Sequence, residues 1–201
     1  MRQLFNPKAI LDVGCGCGSF VSVARRMKLD AWGIDFSEWA ISHPLEGAEK
    51  WIHVGDVRDI HWADHSADFV FSTDLLEHIY EDEVDRAISE LLRVSSKWVF
   101  LQICTPVGDE GFKDGGFSLK RDQPIPIELE VYAVAGHVTV KPYGWWEQKL
   151  ARKGWRIRED MVSKFRKLVN PPGLIEYWRT IFVLERWPRR ENIQFKGAGV
   201  V

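Results

Sequence analysis

The stretch Ile10-Leu11-Asp12-Val13-Gly14-Cys15-Gly16-Cys17-Gly18 constrains this chain more than any other. A short apolar run that passes straight into three glycines reads as a buried strand entering a tight turn, with a helix opening at its far end. Glycine at these positions lets a ligand approach the backbone, and the amides at the start of the helix can face the ligand's anionic end. A dinucleotide fingerprint needs its third glycine at position 19, where Ser19 stands, and no Gly-Lys-Ser/Thr follows to make a Walker loop. The spacing favours a nucleoside ligand without a pyrophosphate.

Strand-like and helix-like segments alternate after this turn. Residues 18–28 read as a helix, Ala31 to Asp35 as a strand, and Ser37 as the N-cap of a further helix. Trp51 to Val54, Ala67 to Ser72 and Trp98 to Ile103 are further strands, with a helix over 82–94 whose apolar positions Val84, Ala87, Ile88, Leu91 and Leu92 recur at helical spacing. Such alternation predicts a parallel sheet with helices on both faces. Residues 105–142 break the pattern with glycines, prolines and mixed charge, and read as a long excursion that covers the site. A helix over 143–153, a strand from Trp155 to Asp160 and a last strand from Tyr177 to Trp187 follow. The expectation is a single domain over 1–190 with a tail over 191–201.

No apolar run reaches the ~18 residues that would span a bilayer, and the N-terminus is too polar before the first strand for a signal peptide. Three cysteines among 201 residues are too few for a disulfide framework, so a cytoplasmic location is expected. Cys15 and Cys17 lack the partner pair that a zinc site would need. The net charge of −2 hides an asymmetry: residues 1–146 carry 14 Lys/Arg and 23 Asp/Glu, whereas 147–190 carry 12 and 5. An acidic first part suits a cationic ligand, and the basic segment could face an anionic substrate or simply be solvated. There is no basic stripe with interleaved aromatics, which disfavours nucleic acid.

The glycine turn and the pieces after it resemble the class I S-adenosylmethionine-dependent methyltransferases, in the small-molecule branch typified by ubiquinone-biosynthesis methyltransferases. The resemblance rests on four ordered stations at strand ends: the glycine turn, Asp35, Gly55-Asp56-Val57, and Ser72-Thr73-Asp74-Leu75-Leu76-Glu77-His78. It implies an α/β, Rossmann-like, doubly wound fold with a mostly parallel seven-stranded sheet whose last strand is antiparallel. The helices that such proteins carry upstream of the first strand are largely absent here. It also implies S-adenosylmethionine as cofactor. Asp12, Gly14, Cys15, Gly16 and Gly18 would form its turn, Asp35 would accept both ribose hydroxyls, and Phe36 would contact the adenine edge. Asp56 and the Val57 amide would read adenine, while Asp74 and Leu75 would lie near the methyl group.

A sulfonium and an ammonium suit Asp12 and Asp74, and one carboxylate can accept from both hydroxyls of a vicinal diol. Methyl transfer gains most from alignment, so a general base is optional. The candidates are His78 and His137. The set Asp74, Glu77, His78 and His137 is also similar to the metal-binding pattern of small-RNA 2′-O-methyltransferases, with Asp where that pattern begins on Glu. Adjacent Trp145 and Trp146 cannot both point inward, which offers one of them to the acceptor. The acceptor is expected to be a small molecule, with RNA or protein as the alternative substrate and a non-catalytic scaffold as the alternative class. No membrane contact is expected, and a homodimer is left open.

Overall fold

The computed structural model describes residues 2–106, 116–121, 123, 124, 126, 129, 135–169 and 179–187. A short helix α1 (Arg2–Phe5) leads into β1 (Ala9–Val13), α2 (Ser19–Arg26), β2 (Asp30–Asp35), α3 (Glu38–Ser42), β3 (Ile52–Val54) and β4 (Ala67–Thr73). A 3-10 turn (Leu76–His78) then precedes α4 (Glu81–Val94), β5 (Ser95–Cys104), β6 (Phe117–Ser118), β7 (Thr139–Val140), α5 (Tyr143–Leu150), β8 (Trp155–Ile157), α6 (Glu159–Val169) and β9 (Arg179–Arg186).

The main sheet has seven strands in the order β3-β2-β1-β4-β5-β9-β8. Strands β3 to β5 pair in parallel, and β9 runs antiparallel to both β5 and β8. This is the expected sheet. Neighbouring residues of a strand point to opposite faces, and two cores result. Leu11, Val70, Val99 and Leu101 pack with Ile88 and Leu91 of α4 and with Trp146 of α5. Ile10, Phe69, Phe100 and Val183 pack on the other face with Phe5, Ala24 of α2 and Met161 of α6. Helix α4 opens on Glu81, Asp82 and Glu83 and closes on Arg93, matching the helix dipole at both ends. Ser37 caps α3 as expected, its hydroxyl accepting the Ala40 amide at 3.2 Å.

Several boundaries differ from the sequence reading. The strand expected from Trp155 to Asp160 stops at Ile157, because the acidic pair Glu159-Asp160 opens helix α6. Met161, Val162 and Phe165 set that helix on the second core. The excursion contains the ribbon β6–β7, in which Phe117 pairs with Val140 and Ser118 with Thr139. The cover expected of 105–142 otherwise lies mostly outside the described residues, as do the tail 191–201 and Tyr177 and Trp178 of the last strand. Of the adjacent tryptophans, Trp146 is 0% exposed. Trp145 is half-buried, with the ammonium groups of Lys141 and Lys149 at 5.7 and 5.1 Å from its ring.

Candidate functional site

The chain runs β1, β2, β3 toward one sheet edge, then returns to place β4 and β5 on the other side of β1. Ligands of such sheets bind beyond the strands' carboxyl ends at this switch point. Gly14 leaves β1 and Leu75 follows β4, and a Cβ on Gly14 would sit 3.2 Å from Leu75 Cδ1. A cleft of about 360 Å³ opens there. From the residues read in the sequence it takes Gly14, Asp35, Phe36, Asp56, Val57, Leu75 and His78. Asp12, Cys15, Gly16, Gly18, Asp74 and His137 are not on its wall, whereas Arg58, Ile79, Tyr80 and Glu83 join it without having been foreseen.

The glycine turn owes its shape to left-handed backbone at Gly14 (φ 81), Gly16 (φ 53) and Gly18 (φ 82), a region that side chains disfavour. Its amides are spent inside the protein. Those of Gly14 and Cys15 both donate to Ile34 O at 2.8 and 3.0 Å, Gly16 donates to Asp35 Oδ2 at 2.8 Å, and Gly18 donates to Cys15 O at 2.9 Å. These four amides therefore do not face an anionic ligand, which leaves that part to the amides at the start of α2. What the turn offers instead is room: a Cβ on Gly16 would meet nothing within 4 Å. Gly18 is tight for a structural reason, since a Cβ there would lie 2.7 Å from Ala48 Cβ. The Cys15 side chain is buried behind the turn, and a Cβ on Gly33 would touch its Sγ at 2.8 Å. Burial also pushes the Cys15 thiol far up, with Asp12 and Asp35 adding to the effect.

Two acids sit behind and beside this turn. Asp12 is buried, and its pKa is pushed up to about 8, first by desolvation and then by the charge of Asp35. A buried acid held partly neutral by lack of a positive neighbour is a site that a cation would relieve. Asp35 uses one lone pair of each oxygen on backbone, accepting from Gly16 N and from Ser37 N, both at 2.8 Å. Each oxygen keeps a second acceptor position.

The far wall is an ion-pair clamp. Arg58 donates to both oxygens of Asp56 and, at 2.9 Å, to Glu83 Oε1, and the guanidinium holds the Asp56 carboxyl below the usual carboxylate range. Phe36 stands over this clamp, 5.9 Å from the guanidinium carbon and 73% exposed. An open aromatic face of that size beside a cleft suits a flat ring.

At the other end of the cleft the structure brings Glu77, His78 and His137 together. One ligand-capable atom from each lies within 4.8 Å of the other two, and the two imidazole centroids are 4.9 Å apart. Two bonds hold the pieces in place: His78 Nδ1 to Gly136 O at 2.9 Å, and Val138 N to Glu77 O at 2.8 Å. Glu77 is fully buried, and its Oε1 accepts the Cys104 amide at 2.9 Å. Asp74 is not a member of this cluster. The sequence signal for Glu77 was its place in the Leu-Glu-His ending, but nothing there showed that it turns inward.

Among the described residues, five cations of the basic segment form ion pairs with three carboxylates. Lys149 and Arg152 meet Asp85, Arg156 and Arg158 meet Glu185, and Arg158 and Lys164 meet Asp160. No helix of the described residues is long and apolar enough to cross a membrane.

Residues 11–98 match the family described as "Methyltransferase domain". Among curated proteins, the chain is 31% identical over 109 residues to ajmaline N-methyltransferase of Rauvolfia serpentina, covering 50% of this chain and 37% of that one. It is 30% identical over 98 residues to norajmaline N-methyltransferase of the same plant, covering 45% and 33%. The aligned parts thus span about a third of the length of these relatives. Among solved structures, an S-adenosylmethionine-dependent methyltransferase from Mesorhizobium loti superposes with a TM-score of 0.61 at 19% identity, covering 89% of this chain and 90% of that one. Magnesium protoporphyrin IX methyltransferase from Synechocystis, solved with S-adenosylmethionine bound, gives 0.56 at 17% identity, covering 89% and 69%. Sheet order and the cleft at the switch point thus give this chain the fold of these solved methyltransferases, and residues 11–98 within that fold carry the match to a methyltransferase domain.

Proposed function

We propose that the chain transfers a methyl group from S-adenosylmethionine to a small-molecule acceptor. The observation that carries this reading is the cleft itself, whose lining joins Gly14, Asp35 and Phe36 with Leu75 and His78. The residues present fit the cofactor: open space before Gly16, a buried acid at Asp12 that gains from a nearby cation, and acceptor positions left on Asp35. Once bound, the cofactor supplies a methyl group on a sulfonium, which the acceptor's lone pair takes by in-line displacement as the thioether departs.

The chain's own residues orient and shield this exchange. Asp35 would fix the ribose, and Phe36 with the Asp56–Arg58 clamp would border the adenine. Leu75 and Ile79 supply an apolar wall where water has to be excluded. The carbonyl of Gly136 can only accept, so His78 carries its proton on Nδ1 and keeps a lone pair on Nε2. That nitrogen and His137 hold the acceptor's heteroatom side, where a proton must be lost if the acceptor is a hydroxyl or an ammonium.

A small-molecule acceptor fits the net charge of −2, which gives the chain no overall attraction for a polyanion. The two curated relatives are named as N-methyltransferases, which favours an amine. The test is incubation with labelled cofactor and a panel of small amines, phenols and thiols, with RNA and protein fractions alongside. Label in an amine or another small molecule supports the reading; label only in RNA or protein overturns it.

A further inference from the structure

We propose that Glu77, His78 and His137 form a binding site for a divalent first-row transition ion, with Zn²⁺ its best ligand. The three offer two imidazole nitrogens and one carboxylate oxygen, each within 4.8 Å of the others. A metal bound at about 2.0–2.2 Å to each would bring ligand atoms to roughly 3 Å of one another, so closure from 4.8 Å needs a contraction of at most about 1.8 Å. Two imidazoles with one carboxylate is a donor set for zinc and its neighbours, and an oxygen-seeking ion such as Mg²⁺ is served worse by it.

The supports around the cluster are those that a metal site needs. A metal-bound imidazole carries its proton on the other ring nitrogen and donates it to a carbonyl or carboxylate. His78 does this, through Nδ1 to Gly136 O at 2.9 Å, which leaves Nε2 as the ligand atom. The carboxylate is held in the same way, with Glu77 Oε1 fixed by the Cys104 amide at 2.9 Å on a fully buried side chain. His137 arrives on the segment just before β7, which Val138 N pins to Glu77 O. Glycine is required at 136 because φ is 78 there and a Cβ would press on His78 Nδ1 at 3.2 Å, so that turn is shaped around the imidazole. Three protein ligands leave a position open, and His78 lines the cleft. An ion there would bind the acceptor's heteroatom and lower its pKa, a use that rests on the methyl-transfer reading, whereas binding of the ion does not.

The test uses the full chain stripped with a chelator and titrated by calorimetry with Zn²⁺, Mn²⁺ and Mg²⁺, and with Co²⁺ followed by visible absorption. One equivalent of Zn²⁺ and of Co²⁺ should bind, with Mg²⁺ failing to compete. His78→Ala and His137→Ala should weaken Zn²⁺ by at least roughly 10–100-fold, the loss that removal of even an outer supporting partner produces. Glu77→Gln should do the same, and if this buried change prevents folding the two histidine variants decide alone. No stoichiometric binding, or binding that survives both histidine variants, overturns the site. Parallel titration with S-adenosylmethionine separates the two claims: a chain that binds cofactor and no ion loses only the metal site. One that binds the ion and no cofactor loses the methyl-transfer reading.

Discussion

The carboxylate of Asp35 accepts the amide of Gly16 at 2.8 Å, so the acid proposed for the ribose also fastens the turn beside it. Asp35→Ala should weaken S-adenosylmethionine binding by about 1–3 kcal/mol, the cost of charge-assisted hydrogen bonds unmade, and should also lower the melting temperature of the free protein. Asp35→Asn keeps an oxygen for Gly16 and loses the charge, so it should recover the melting temperature more than the affinity. Calorimetry with thermal melts checks both. An alanine variant that folds and binds normally refutes the assignment.

Asp12 makes cofactor binding depend on pH. Its folded pKa of about 8 lies above its ordinary value of 3.8, so the folded state holds more protons than the unfolded state between these values. Its contribution to stability is complete below pH 3.8 and is lost as pH rises through about 8. Asp12→Asn should flatten that slope and be more stable, relative to the parent, at pH 8.5 than at pH 5 (both pH settings being roughly outside or inside that window). A cation nearby draws Asp12 into its ionised form, so cofactor should bind more tightly as pH rises and release a proton. Titrations in buffers of different ionisation enthalpy read that proton directly; no proton release at neutral pH contradicts the placement.

Two glycines of one turn should respond differently. Gly16→Ala meets only the left-handed backbone cost of about 1–2 kcal/mol, because the space before it is open. Gly18→Ala adds a contact of 2.7 Å with Ala48 and should lose more stability. Cofactor affinity should rank the other way among the folded variants, since Gly16 faces the open space. Urea denaturation and calorimetry measure the two rankings.

His78→Ala and His137→Ala should each reduce turnover by roughly 100-fold or more while leaving cofactor affinity in place. Loss of cofactor binding in either variant would show that the histidines support the fold of the cleft instead. Single-turnover assays at saturating cofactor separate these outcomes.

The sheet was legible because each strand carries its own apolar run and each turn its own breaker, and those signals are local. The candidate site was legible to the extent that it sits at strand ends: Gly14, Asp35, Asp56 and Leu75 all reach the cleft. Three things were not legible, each because it depends on partners far along the chain. The inward use of the turn amides depends on Ile34 O. The clamp at Asp56 depends on Glu83 from α4, which accepts from Arg58. The inward turn of Glu77 depends on the Cys104 amide at the end of β5. Helix α6 is hard to read for another reason: Lys164, Arg166 and Lys167 interrupt its apolar positions, leaving only Met161, Val162 and Phe165 to mark the buried face.

Strand β9 has a consequence for how the chain is made. It lies inside the sheet, with β5 on one side and β8 on the other, yet it is the last described strand of the sequence. While the ribosome is still delivering residues before 179, β5 has β4 beside it and nothing to pair with along its other edge. Val99, Phe100 and Leu101, all buried in the finished protein, then flank an open row of backbone donors and acceptors. Pairing Cys104 with Arg179 must wait for long-range loop closure. The nascent chain therefore passes through a period in which its most apolar strand is available to chaperones and to neighbouring copies alike, and only the arrival of Ile181 to Leu184 ends it.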